Sequence, residues 1–199
     1  MKIVIIVFSL ILGNLVHAGD FEYVGANKCK ACHQKDEKGA QYSKWESSKH
    51  AIAFETLLTE KALEIATKLE LKTIPSESPE CVGCHTTGYG LGGFDIKDAA
   101  FYAPAEDDKD GQKAAKLMEK LKNVGCEACH GPGSKYKSKK TMEAIYTGTE
   151  KSETYGLVIP TEETCKQCHN EKSPMFKEFK FDEAYAKIAH NIPEVEPSK

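Results

Sequence analysis

The chain has 199 residues, a length that suits one domain, with 40% hydrophobic residues and a formal charge of −3. All 27 basic residues are lysines, which serve diffuse attraction better than the bidentate phosphate recognition that arginine provides. Nothing in this balance points to nucleic acid as a partner, and the apolar content is low for an enzyme of this size.

Residues 1–18 read as an export signal. Lys2 gives a positive start, Ile3 to Leu12 is almost unbroken apolar sequence, and Val16-His17-Ala18 fits the small-residue cleavage rule. The apolar run is interrupted by Gly13 and Asn14 and falls short of the roughly 20 residues a spanning helix needs. Cleavage after Ala18 is therefore expected, and the first cysteine, Cys29, lies too far on to carry a lipid anchor. The expected organisation is a signal peptide over 1–18 and one domain over 19–199. The mature protein is expected to be periplasmic or secreted, without stable membrane insertion.

Gly19 to Asn27 reads as an extended lead-in to Cys29. From Gln41 to Leu71, Ala51, Phe54, Leu57, Leu58, Leu63, Ile65, Ala66 and Leu69 follow the three-to-four spacing of a helix with a buried stripe. Ile74 to Pro79 breaks that pattern. Gly88 to Phe94, with four glycines, predicts a loop or short hairpin. No strand–helix frame surrounds it, so a dinucleotide fingerprint is not the reading. Close approach of backbone to a cofactor is the expected reason for the glycines. Asp95 to Asp110 reads as a surface loop, Gln112 to Lys122 as a short helix, and Thr141 to Tyr146 as another. Lys135 to Lys140 is a solvated face or a docking patch for an acidic partner. Phe181 to His190 predicts a last helix, ending before Pro193.

Four short motifs carry the chemistry. Cys29-Lys30-Ala31-Cys32-His33, Cys81-Val82-Gly83-Cys84-His85, Cys126-Glu127-Ala128-Cys129-His130 and Cys165-Lys166-Gln167-Cys168-His169 are copies of C-x-x-C-H, and together they use all 8 cysteines. A zinc site needs four ligands and has no use for a histidine after every pair, and neither a redox dithiol nor a disulfide framework requires one. C-x-x-C-H is the attachment signature of c-type haem: the thiols add to the two vinyl groups and the histidine becomes an axial iron ligand. Four covalently attached haem c groups are expected. They would supply much of the missing apolar core, and folding should depend on them. The motifs recur at intervals of 52, 45 and 39 residues, too uneven for a solenoid. The expected fold class is mostly α: a compact multihaem cytochrome with a haem-dominated core and little regular sheet.

Each iron has a second axial position. Outside the motifs and the signal, the only histidines are His50 and His190, so at most two of four haems can be bis-histidine within one chain. Both are expected to be ligands. The other two irons could be five-coordinate or take methionine, lysine, water or a neighbouring subunit's side chain. Met118, Met142 and Met175 are the methionines after the signal, and such residues more often fill cores.

The order of C-x-x-C-H, Ser48-Lys49-His50-Ala51-Ile52-Ala53, Cys81 to Gly90, Val124 to Gly133, and a last C-x-x-C-H followed by Phe179-Lys180-Phe181-Asp182-Glu183 and His190 resembles the cytochrome c-554 family. These are tetrahaem electron acceptors of hydroxylamine oxidoreductase. The resemblance spans nearly the whole chain after the signal. It implies a mainly helical fold with haems in closely stacked pairs, His50 opposite His169 on the fourth haem, His190 opposite His130 on the third, and a five-coordinate second haem on His85. It also implies a histidine for the first haem, on His33, from the stretch after the third motif. The chain departs there, with no histidine between His130 and His169. Met142 is the expected substitute, with Lys140 as runner-up and an open or subunit-supplied position as the remaining choice.

The leading functional expectation is a non-catalytic electron carrier that exchanges electrons with redox protein partners. An alternative is reduction of a small ligand such as nitric oxide, nitrite or hydroxylamine at an open haem on His85, although no clear acid or base stands beside it in sequence. A third reading, a subunit of an extracellular cytochrome filament, typically calls for histidine on both faces of every haem. Six histidines after the signal argue against it.

Overall fold

The computed structural model describes residues 21–190 and 192. The expected signal peptide over 1–18, and the bound at Pro193, lie outside them. Nine α-helices appear among the described residues: α1 Lys30–His33, α2 Gln41–Glu46, α3 Glu60–Lys68, α4 Pro79–His85, α5 Lys109–Leu121, α6 Cys126–His130, α7 Lys139–Tyr146, α8 Glu162–Lys166 and α9 Phe181–Ile188. The only β pairing there is an isolated antiparallel bridge between Thr86 and Lys122.

Helix starts follow local chemistry. The Thr59 hydroxyl accepts from the Ala62 amide to cap α3, Asp108 caps α5 through the Gly111 amide, and Ser138 caps α7 through the Thr141 amide. Thr161 and Thr164 form a reciprocal capping box on α8. Pro79 opens α4, where its missing N–H costs nothing.

The long helix expected over Gln41 to Leu71 is broken. Only α2 and α3 are α-helical, and two 3-10 turns, Lys49–Ile52 and Glu55–Leu58, lie between them. The cause is a set of tertiary bonds that pull backbone groups out of the helical ladder. The Phe54 amide donates to Asn123 Oδ1 at 2.6 Å, and the His50 carbonyl accepts from the Val124 amide at 3.1 Å. Trp45 Nε1 donates to the Val124 carbonyl at 2.8 Å, and Asn123 itself sits at φ +71. Periodicity reports which side is apolar; it does not report such competition.

Residues 88–94 form a turn, closed by Gly93 N to Gly88 O at 3.0 Å and Phe94 N to Thr87 O at 2.8 Å. Gly88, at φ +73, lies against the Tyr23 ring, which a Cβ would strike. Protein packing therefore already demands a glycine there. The protein's own core is small: Tyr23, Phe54, Leu57, Val82, Phe94 and Leu121, with Leu117 and Met118 packed against it.

A carboxylate pins the lead-in to the third motif. Glu127, only 2% exposed, accepts from the amides of Val24 (2.9 Å), Gly25 (2.7 Å) and Gly133 (2.6 Å). Glu22 and Ser134 extend the seam, with Glu22 N donating to Ser134 Oγ and Ser134 N to Glu22 O.

Candidate haem-binding sites

Each C-x-x-C-H motif closes a single helical turn. The second and third lie within α4 and α6. In the first and fourth, the same turn is held by His33 N to Cys29 O at 3.0 Å and His169 N to Cys165 O at 2.9 Å. One turn brings the two thiols of a pair to one side and sets the imidazole beside them. None of the eight cysteines is joined in a disulfide.

The motifs approach one another. Cys29 lies beside Cys126, a closeness that pushes the Cys29 thiol up and draws Cys126 down from the ordinary thiol value. Cys84 lies likewise beside Cys168, which draws Cys84 down to about 7 and raises Cys168. The first motif therefore adjoins the third and the second adjoins the fourth, while Cys129 also lies near Cys165 and Cys168, so the third and fourth are neighbours too.

Imidazoles meet at two places. His50 and His169 have ring centres 6.1 Å apart and planes at 63°; His130 and His190 are 6.0 Å apart at 35°. Burial holds all four below the ordinary imidazole value, and the His169 ring adds to the effect at His50. The neutral form that a metal requires is thereby favoured. Among the described residues no second imidazole stands in this way against His33 or His85.

Backbone and side-chain oxygens orient three motif histidines. His85 Nδ1 lies 2.7 Å from the Ala53 carbonyl, His130 Nδ1 3.1 Å from the Val158 carbonyl, and His33 Nδ1 3.2 Å from Gln41 Oε1. A carbonyl oxygen only accepts, so Nδ1 carries the proton and Nε2 keeps a free lone pair.

The sequence profile of the family described as "Cytochrome c554 and c-prime" matches residues 28–131. The chain belongs to the cytochrome c554 and c-prime family. It is similar to the curated cytochrome c-554 of Nitrosomonas europaea, at 30% identity over 172 residues, covering 81% of this chain and 63% of the relative. The chain thus spans less than two thirds of that relative's length. It is also similar to the solved structure of reduced cytochrome c554 from Nitrosomonas europaea, with a TM-score of 0.56, 28% identity and 86% of each chain covered. The expected fold class holds: the chain is a helical c-type cytochrome of compact multihaem type, and covalently attached haem c is the cofactor of its family.

The residues fit that cofactor. A metal–nitrogen bond of about 2 Å on each side, with each ring nitrogen about 1 Å from its ring centre, puts two facing imidazole centres about 6 Å apart. Both observed pairs have that separation. Among the described residues no group of three or more His, Cys, Asp or Glu side chains converges as a metal cluster. No helix among them is long and apolar enough to cross a membrane.

The methionines divide by environment. Met118 packs on the core, where its sulfur accepts from the Asp95 amide. Met175 is exposed and lies in a cleft beside Cys168 and His169. Met142 is half-buried on α7. Six residues before it, the buried Tyr136 lies near Cys29 and Cys126. Lys140 is exposed on the same helix.

Sequence reasoning missed Gln41, Ala53 and Val158 as partners of motif histidines, and Glu127 as the clamp. Glu127 alone left a trace, as the only acidic residue at any x position of the four motifs.

Proposed function

We propose that the protein is a tetrahaem electron carrier whose four haems have unequal axial ligation. The observation that carries this reading is the pair of facing imidazoles, His50 with His169 and His130 with His190, each about 6 Å apart between ring centres. Haem supplies reversible one-electron iron chemistry, with a potential set by axial ligands, hydrogen bonding and burial. The chain supplies the rest. Cys29 and Cys32, Cys81 and Cys84, Cys126 and Cys129, and Cys165 and Cys168 are the thioether anchors. His33, His85, His130 and His169 are the motif-side ligands, with their Nδ1 partners orienting three of them.

The closeness of Cys29 to Cys126 and of Cys84 to Cys168, with Cys129 near Cys165 and Cys168, supports anchorage of the cofactors as neighbours. Such closeness is what transfer through one small protein requires. His85 would be left with an open face, where a small ligand of the nitric oxide class could bind. Met142 is the proposed partner for His33: Met118 is engaged in the core and Met175 lies beside His169, which leaves Met142 as the remaining thioether. Residues 1–18 act in this reading as the export signal for the 19–199 domain, whose place is the periplasm or outside the cell, among redox protein partners.

Coulometric reduction of the purified holoprotein tests the function. Uptake of four electrons per chain, returned on contact with a protein oxidant, is expected. Uptake of fewer than four, or electrons that cannot be recovered, would contradict it.

A further inference from the structure

Phe179 lies face to face with His169, with ring centres 4.9 Å apart and planes at 16°. His169 differs from the other motif histidines. His33, His85 and His130 each have an oxygen at Nδ1, whereas Nδ1 of His169 has no hydrogen-bond partner among the described residues. A hydrogen bond to Nδ1 stops an imidazole turning about its Cβ–Cγ bond. At His169 a stacked ring stands in that role.

The position of Phe179 follows from its own chain segment. After the fourth motif, Asn170 Nδ2 donates to the Lys166 carbonyl, Ser173 N to Asn170 O, and Phe176 N to Ser173 O, which turns the chain back over His169. Phe179 then directly precedes Lys180 and α9, at whose far end His190 meets His130. One strap thus brings a ring to one imidazole pair and a ligand to the other.

The plane of an axial imidazole has an electronic consequence. Its filled π orbital interacts with one of two iron d orbitals that are otherwise similar in energy. Two axial rings with nearly parallel planes raise the same d orbital and separate the pair; rings turned far apart leave the two close. With haems bound between these pairs, the wide 63° at His50–His169 and the narrow 35° at His130–His190 would give two different low-spin irons.

We infer that Phe179 is a positioning residue: by stacking on His169 it fixes the plane of that imidazole, and so the low-spin electronic state of the iron that His50 and His169 share. The inference rests on the proposal that these two histidines ligate one haem.

Electron paramagnetic resonance of the oxidised full-length holoprotein tests it, with Phe179→Leu, Phe179→Met and Phe179→Tyr compared at matched haem content. Phe179→Tyr keeps the stack and should keep the low-spin signal with the widest g spread. Phe179→Leu should move that signal toward the narrower one of the His130–His190 iron, with haem stoichiometry and the count of low-spin irons unchanged. Phe179→Met removes the ring with a more pliant side chain and should give the same shift if the leucine variant fails to mature. A spectrum superimposable on wild type in the ringless variants overturns the role, as does an equal shift in Phe179→Tyr. His50→Ala reads the underlying ligation separately: no loss of a low-spin iron there refutes the shared haem itself, whatever the Phe179 variants do.

Discussion

His130 and His190 hold their imidazoles with ring centres 6.0 Å apart, and the Val158 carbonyl takes the Nδ1 proton of His130 on its other edge. The pair joins an interior motif to the end of the last helix. His190→Ala should turn one low-spin iron high-spin, and His50→Ala should do the same to a different iron. Because each variant removes a ligand from a different iron, the double variant should show both conversions. Visible and resonance spectra of the oxidised proteins check this; an unchanged low-spin count in either single variant contradicts the assignment.

Met142→Ala should abolish the near-infrared band that marks methionine–iron ligation and lower the potential of one haem, since a thioether favours the reduced iron relative to imidazole. Lys140→Ala should leave that band intact. Identical near-infrared and spin-state spectra in Met142→Ala and wild type would remove methionine from the first haem.

Glu127 receives three backbone amides in a site that water does not reach. Glu127→Gln replaces one acceptor oxygen with a donor that faces other donors. The cost should be about 2–4 kcal/mol in unfolding free energy, read from guanidinium unfolding of the oxidised holoprotein, with four haems retained. A midpoint within error of wild type would show that the seam contributes little.

Tyr136 is buried, and its hydroxyl donates to the Gly131 carbonyl at 2.6 Å. Burial first, and then the Glu127 carboxylate, push its phenol far above the ordinary value. A folded value raised above the unfolded one means that the protonated form is favoured in the fold. This contribution is complete below the unfolded value of about 10 and is lost as pH rises beyond it. Tyr136→Phe should cost roughly 1 kcal/mol at neutral pH through the lost hydrogen bond. Above pH of about 10 it should lose stability less steeply than wild type. Parallel stability–pH curves for the two proteins would contradict this.

The helical class and the candidate site were legible in sequence; the helix boundaries were not. Thioether attachment needs two thiols and an imidazole within one helical turn, so Cys29 to His33 and its three counterparts announce themselves locally. The scarcity of histidine then singled out His50 and His190. The broken segment from Gln41 to Leu71 was not legible, because Asn123 and Val124, far along the chain, compete for its backbone groups. Ala53 and Val158 serve His85 and His130 through main-chain carbonyls, and a carbonyl has no residue type to betray it. The stack of Phe179 on His169 depends on a chain reversal that periodicity does not encode.

The most direct test of unequal haems is a spin count on the oxidised, monomeric holoprotein, set against haem content from its mass and pyridine haemochrome. The account predicts four haems per chain, with low-spin irons for the His50–His169 and His130–His190 pairs. It further predicts a high-spin iron at His85 that binds nitric oxide once reduced. Four low-spin irons in the monomer, none of them binding nitric oxide, would contradict it.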